Sequence, residues 1–144
     1  RGGQESQALG RSCGGFSSKI HAKVDALGMP LAFVLTAGQV HDSQIAHELV
    51  DDSESDYLLA DRGYDSDAFR ESLCSRGIIP VIPGKKNRII PVEYDKHIYK
   101  ERNLVERFFN RIKHFRRIST RYDKTSIMFL GSLTVIAILL WGSF

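Results

Sequence analysis

Cysteine is nearly absent: Cys13 and Cys74 are the only two in 144 residues, and they form no CxxC pair. A disulfide framework and a cysteine-based zinc site are therefore not expected, and a reducing cytoplasm fits. The five histidines, His21, His41, His47, His97 and His114, have no zinc-ligand spacing and read as ordinary polar residues. No signal peptide is recognisable. The GKK run at 84–86 lacks the glycine pattern of a phosphate-binding P-loop. Charge is missing from residues 125–144, which raises the question of a membrane span. Ser126, Gly131, Ser132 and Thr134 interrupt that stretch, and its continuous apolar run, 135–141, is far too short for a bilayer. A buried helix covering a sheet is the expectation, with no membrane partner.

What is present suffices for a domain with a real core. Hydrophobic residues make up 42% and charged residues 26%, the balance of a globular chain rather than a disordered one. The net charge of +3 conceals a strong segregation. Residues 37–84 hold 3 Lys+Arg against 10 Asp+Glu, whereas residues 85–124 hold 13 against 5, a net of +8. A polyanion is the natural partner of the basic segment, and nucleic acid is the expected polyanion.

Residues 1–17, rich in Gly, Ser and Gln, read as a flexible N-terminal segment, with one domain over 18–144. The absence of Met at position 1 suggests the interior of a longer reading frame. SKIHAKVD (18–25) alternates apolar and polar residues, the period of a half-buried strand, and LAFVLT (31–36) reads as its antiparallel partner. A helix to about Val50 follows, with Asp42 or Ser43 as N-cap, then an acidic turn at 51–55. DYLLAD (56–61) is a short strand ending in Asp61, and Gly63 allows a tight turn. SDAFRESLCSR (66–76) is a helix stopped by Gly77, and IIPVIP (78–83) an edge strand. A basic loop over 84–97 leads to a helix over 99–113. Strands alternating with helices predict an α/β fold, a sheet flanked by helices.

On an unbroken helix over 99–113, Tyr99, Arg102, Glu106 and Lys113 fall within an arc of roughly 60°. Leu104, Val105, Phe108, Phe109, Ile112 and Phe115 form the apolar arc beside it, and Arg107, Asn110, Arg111 and His114 the outer, basic one. Such a face is either an ordinary solvated one or a carboxylate among cations suited to metal and phosphate. Asp61 at a strand's carboxyl end is likewise either a turn cap or a ligand, because ligands of open α/β sheets gather there. Should the helix pack across the sheet, Asp61 and Glu106 could approach one point. Carboxylates holding two Mg²⁺ about 3.5–4 Å apart are the usual apparatus of phosphodiester cleavage. Arg102 and Lys113 would then contact phosphates. His41–Asp42 reads as helix capping.

These stretches together resemble the C-terminal part of a DDE transposase of the fifth family of bacterial insertion sequences. The matching segments are GRSCGGFSSKIHAKVDALGMPLAFVLTAGQVHDS, LLADRGYDSDAFR, VIPGKKNR and YKERNLVERFFNRIKHFRRISTRYDK, together with the closing apolar helix. The signature Y-x2-R-x3-E-x6-K is met by Tyr99, Arg102, Glu106 and Lys113. The resemblance implies a ribonuclease H-like mixed sheet, Mg²⁺ or Mn²⁺ as cofactor, and DNA strand cleavage and strand transfer. It assigns Asp61 and Glu106 as catalytic, metal-binding residues. The candidate DNA contacts are Tyr99, Arg102, Arg107 and Lys113, with Lys85, Lys86 and Arg88 of the basic loop. In such enzymes the first catalytic aspartate lies on a strand upstream of the GRSCGG segment, and Asp25 aligns with a non-catalytic position. The expectation is therefore a site incomplete in its first strand and inactive alone. Its partners would be transposon and target DNA, an N-terminal part or second reading-frame product, and other copies of itself. A non-catalytic DNA-binding remnant or regulator is the alternative.

Overall fold

The protein is described by a computed structural model covering residues 10–12, 15–50, 55–119 and 125–143. In chain order these form strands β1 (Gly10–Ser12), β2 (Gly15–Val24) and β3 (Pro30–Ala37), helix α1 (Asp42–Val50), strand β4 (Tyr57–Leu59), a 3-10 turn (Arg62–Tyr64), helix α2 (Asp67–Ser75), strand β5 (Ile79–Val81), helix α3 (Lys96–Tyr99), a second 3-10 turn (Lys100–Arg102), and helices α4 (Asn103–Lys113), α5 (Arg116–Ser119) and α6 (Ser126–Gly142). The chain divides into two compact units, Arg1–Val40 with Leu104–Phe144, and His41–Asn103.

The first unit is built on the expected hairpin. β2 and β3 pair antiparallel, with Ile20 opposite Leu35 and His21 opposite Val34. Asp25 closes the turn between them, its Oδ1 accepting from the Leu27 N–H at 2.8 Å and the Met29 N–H at 2.9 Å. Ile20, Ala22 and Val24 pack on a core that includes Met29, Phe108, Ile112, Phe129 and Leu133, as their period-2 spacing required. His21 departs from the expectation of an ordinary polar residue. It is buried, with Nε2 2.9 Å from Thr36 Oγ1. Thr36 lies two residues beyond the position opposite His21, a same-face neighbour that only the register reveals.

Residues 10–12 and 15–17 also differ from the expected loop. Gly10 pairs with Ser17 and Ser12 with Gly15 in an antiparallel ladder. Backbone pairing needs no apolar side chain, so glycine-rich composition conceals it. Helix α6 lies against β3 and buries Phe129, Leu133, Ile136 and Leu140. The expectation of a buried helix holds for that face only, since Ile127, Val135, Ile138 and Leu139 are exposed. The Trp141 Nε1–H donates to the Pro30 carbonyl at 2.9 Å. Among the described residues no helix is long and apolar enough to cross a membrane.

In the second unit β4 and β5 pair in parallel, Tyr57 with Ile79 and Leu59 with Val81. Ser66 caps α2, its hydroxyl accepting from the Phe69 N–H at 3.2 Å. Gly77, at φ +76°, ends that helix in the left-handed region that side chains resist. Phe69 and Leu73 of α2 are buried, as are Ala46, Leu49 and Val50 of α1 and Val81 and Ile82 at β5. The α/β class is as expected. The strands described form a three-stranded antiparallel sheet and a two-stranded parallel one rather than a single mixed sheet.

The stretch 99–113 is helical but not one α-helix. Tyr99 ends α3, Lys100–Arg102 tighten into a 3-10 turn, and α4 begins at Asn103. A 3-10 turn winds about 120° per residue rather than 100°. The arc computed for an unbroken helix therefore does not hold across it.

Candidate functional site

Asp61 stands just beyond the carboxyl end of β4, exposed, with the extended backbone of a cap (φ −78°, ψ 173°). Its Oδ1 accepts from the Gly63 N–H at 2.8 Å, so the aspartate both caps a turn and occupies the strand-end position. Asp42, in the first turn of α1, reaches the same glycine. A Cβ on residue 63 would lie 2.5 Å from Asp42 Oδ2 and 2.9 Å from Asp61 Oδ1. Only glycine lets both carboxylates close on this turn. Burial, then the charges of Asp42 and Asp61, push the Tyr64 phenol well above its ordinary range.

Tyr99 shares this environment. Burial is the main cause that raises its phenol, and Asp61 and Tyr94 add to it, against the opposing pull of Arg102 and Arg62. The Arg102 guanidinium sits 5.5 Å from the centre of the Tyr99 ring, and Tyr94 meets that ring edge-on. Tyr99 thus feels the charge of Asp61, and Arg102 stacks on its ring.

A second construction in this unit organises the basic loop. The buried Asp65 carboxylate takes Arg70 Nε at 2.8 Å, the Lys85 N–H at 2.8 Å and Arg88 Nη1 at 3.0 and 3.1 Å. Burial alone would raise this carboxyl. The Lys85 N–H, Arg70 and Arg88 outweigh it and hold the group below the usual carboxylate range. Arg88 also binds Asp67, and its Nε–H donates to the Ile90 carbonyl at 3.1 Å. Its guanidinium is thus committed within the protein, while Lys85 and Lys86 are exposed.

The remaining site residues lie in the other unit. On α4, Phe108 and Ile112 are buried while Glu106, Arg107 and Lys113 are exposed. Glu106, Phe109, Asn110 and Lys113, spaced as one helix face, line a shallow open depression. Among the described residues no group of three or more His, Cys, Asp or Glu side chains is assembled to hold a metal ion. Sequence reasoning missed Asp42 as a neighbour of Asp61, and Tyr64 beside both. The available signal was a glycine two residues after a strand-end aspartate.

Family models described as "Transposase DDE domain" match residues 2–91 and 58–141. The chain is 34% identical over 130 residues to a protein of Brucella ovis named as a transposase for insertion sequence element IS6501, a match covering 87% of this chain and 98% of that protein. It is 34% identical over 119 residues to one of Burkholderia cepacia named for IS402, covering 74% of this chain and 54% of that protein. No solved structure matches. With one family model spanning residues 2–91 and a relative aligned along nearly its whole length, the chain belongs to the DDE transposases of insertion-sequence elements.

Proposed function

We propose that this chain is the carboxyl-terminal part of a ribonuclease H-like catalytic domain that cleaves and joins DNA strands during transposition. The observation that carries the reading is Asp61, exposed at the end of the parallel pair on a turn that glycine keeps open. Glu106, exposed on α4, is the second carboxylate. Carboxylate oxygens are hard donors, so Asp61 and Glu106 each suit Mg²⁺ or Mn²⁺ as ligands. When bound, such ions supply Lewis-acid and water-activating chemistry at a phosphodiester.

The chain's own cations bind and orient DNA in this reading. Lys113, on the face of Glu106, meets a phosphate near the cut, and Arg107 a flanking one. Tyr99 and Arg102 form a stacked pair that contacts the strand, and Lys85 and Lys86 extend the phosphate track. Asp25 is not assigned as the first catalytic aspartate, because the resemblance aligns it with a non-catalytic position; its carboxylate closes the β2–β3 turn. That residue is expected upstream, on a strand supplied by an N-terminal part or by a second reading-frame product.

Nicking of supercoiled plasmid in Mg²⁺ tests this. The 144-residue chain should not cut, a version extended upstream by the first strand should, and Asp61→Asn or Glu106→Gln should abolish cutting. Cutting that survives both substitutions would overturn the assignment. The net charge of +8 over residues 85–124 equally serves a second reading, a DNA-binding regulator without chemistry. Its signature is salt-sensitive DNA binding untouched by Glu106→Gln, with no cutting by the extended form.

A further inference from the structure

The 84–90 loop carries a feature that phosphate contacts do not use. Ile89 is 96% exposed and Ile90 75%. The backbone that presents them is held from the protein side. Asp65 binds the Lys85 N–H and Arg88, Arg88 returns to the Ile90 carbonyl, and the Arg88 N–H donates to the Lys85 carbonyl at 3.1 Å. At the loop's entrance Arg70 Nη2 donates to the Ile82 carbonyl at 2.6 Å. Single exposed apolar residues are ordinary. Two adjacent isoleucines on an ion-pair-anchored loop, bordered by Lys85 and Lys86, make a fixed apolar tip with a cationic rim. The lysines stand on a segment, 85–124, of net charge +8, and that charge complements the phosphates of DNA. Duplex DNA offers both, phosphates outside and base faces within.

We propose that Ile89 and Ile90 are an apolar wedge that enters between base pairs of DNA held by Lys85 and Lys86, unstacking one step. Branched apolar side chains kink duplexes in this way, at a cost that wider contact offsets. Arg88 is then a positioning residue: bound to Asp65, Asp67 and the Ile90 carbonyl, it sets the tip. The inference rests on the reading of the chain as a DNA-acting transposase part and adds how that DNA is deformed.

The test uses the full chain and a duplex of about 30 base pairs with 2-aminopurine at its flexible TA steps. Wild-type protein should raise the fluorescence at one step. The double variant Ile89→Ala/Ile90→Ala, altered only at exposed side chains, should lose that rise and bind about tenfold more weakly. Its salt dependence should be unchanged, whereas Lys85→Ala and Lys86→Ala should each reduce the salt slope by about 1. If the isoleucine variant binds with unchanged affinity and fluorescence, the wedge is wrong while DNA binding stands. If it alters the sedimenting mass but not DNA binding, the tip is a protein interface and the wedge is again wrong. If wild-type protein binds no duplex at any salt concentration, the proposed DNA-acting role of this chain falls and takes the wedge with it.

Discussion

Gly63 has no side chain, and the Asp42 and Asp61 carboxylates occupy the space one would take. The atoms a Cβ would strike are the tips of two side chains that can rotate away, not backbone. Gly63→Ala should therefore cost about 1 kcal/mol or less in stability, read by a thermal melt. Its effect should fall on chemistry instead, because displacing a catalytic group by about 1 Å costs about a hundredfold in rate. In the upstream-extended, cutting-competent protein, nicking should drop by that order while the melt hardly moves. Normal nicking by this variant would show that the Asp61 position is not critical. At this scale the sequence was legible where a turn is local, as at Asp61 and Gly63. It was silent on Asp65, whose partners Arg70 and Arg88 come from separate stretches, and on His21, whose partner Thr36 is fixed by strand register.

Elements show the same division. The apolar arc of α4 was readable from spacing, and it buries Phe108 and Ile112 in the core of the first unit. Phe108 is 1% exposed and lies between the rings of Phe33 at 5.8 Å and Phe109 at 5.5 Å. Phe108→Ala leaves a cavity that two rings and a sheet cannot fill, so it should cost about 4 kcal/mol in urea denaturation. A loss under about 1 kcal/mol would mean that α4 is not seated on the sheet. The 3-10 turn at Lys100–Arg102 was not readable. It exchanges one hydrogen-bond spacing for another and leaves no mark on composition. The apolar character of residues 125–144 announced a helix, but not that one face would stay in solvent, because a stretch apolar on every side carries no directional signal.

Charge segregation along the chain was visible at the scale of the whole molecule, but its division into units was not. One unit joins residues 1–40 to 104–144, and linear order does not say which ends share a core. That division predicts an uneven response to pH. Asp65 and Asp95 belong to the His41–Asn103 unit, and both carboxyls are held below their ordinary value of 3.8, Asp95 by the Ile98 and His97 N–H groups. A depressed carboxyl contributes stability that is present above that value and lost as pH falls through the folded one. Tyr64 and Tyr99 belong to the same unit and are raised above 10.0, so their contribution is present below that pH and lost as pH rises past it. This unit should hold its stability between about pH 4 and pH 10 and weaken on either side. Two intrinsic probes separate the units. The single tryptophan, Trp141, reports on the unit that contains α6. Tyr57, Tyr64, Tyr94 and Tyr99, four of the five tyrosines, report on the other. In urea melts, moving from neutral pH to about pH 3.5 should lower the tyrosine midpoint more than the Trp141 midpoint. Equal shifts in both would mean that the chain unfolds as one cooperative body, with the buried Asp65 ion pairs supporting all of it rather than their own unit.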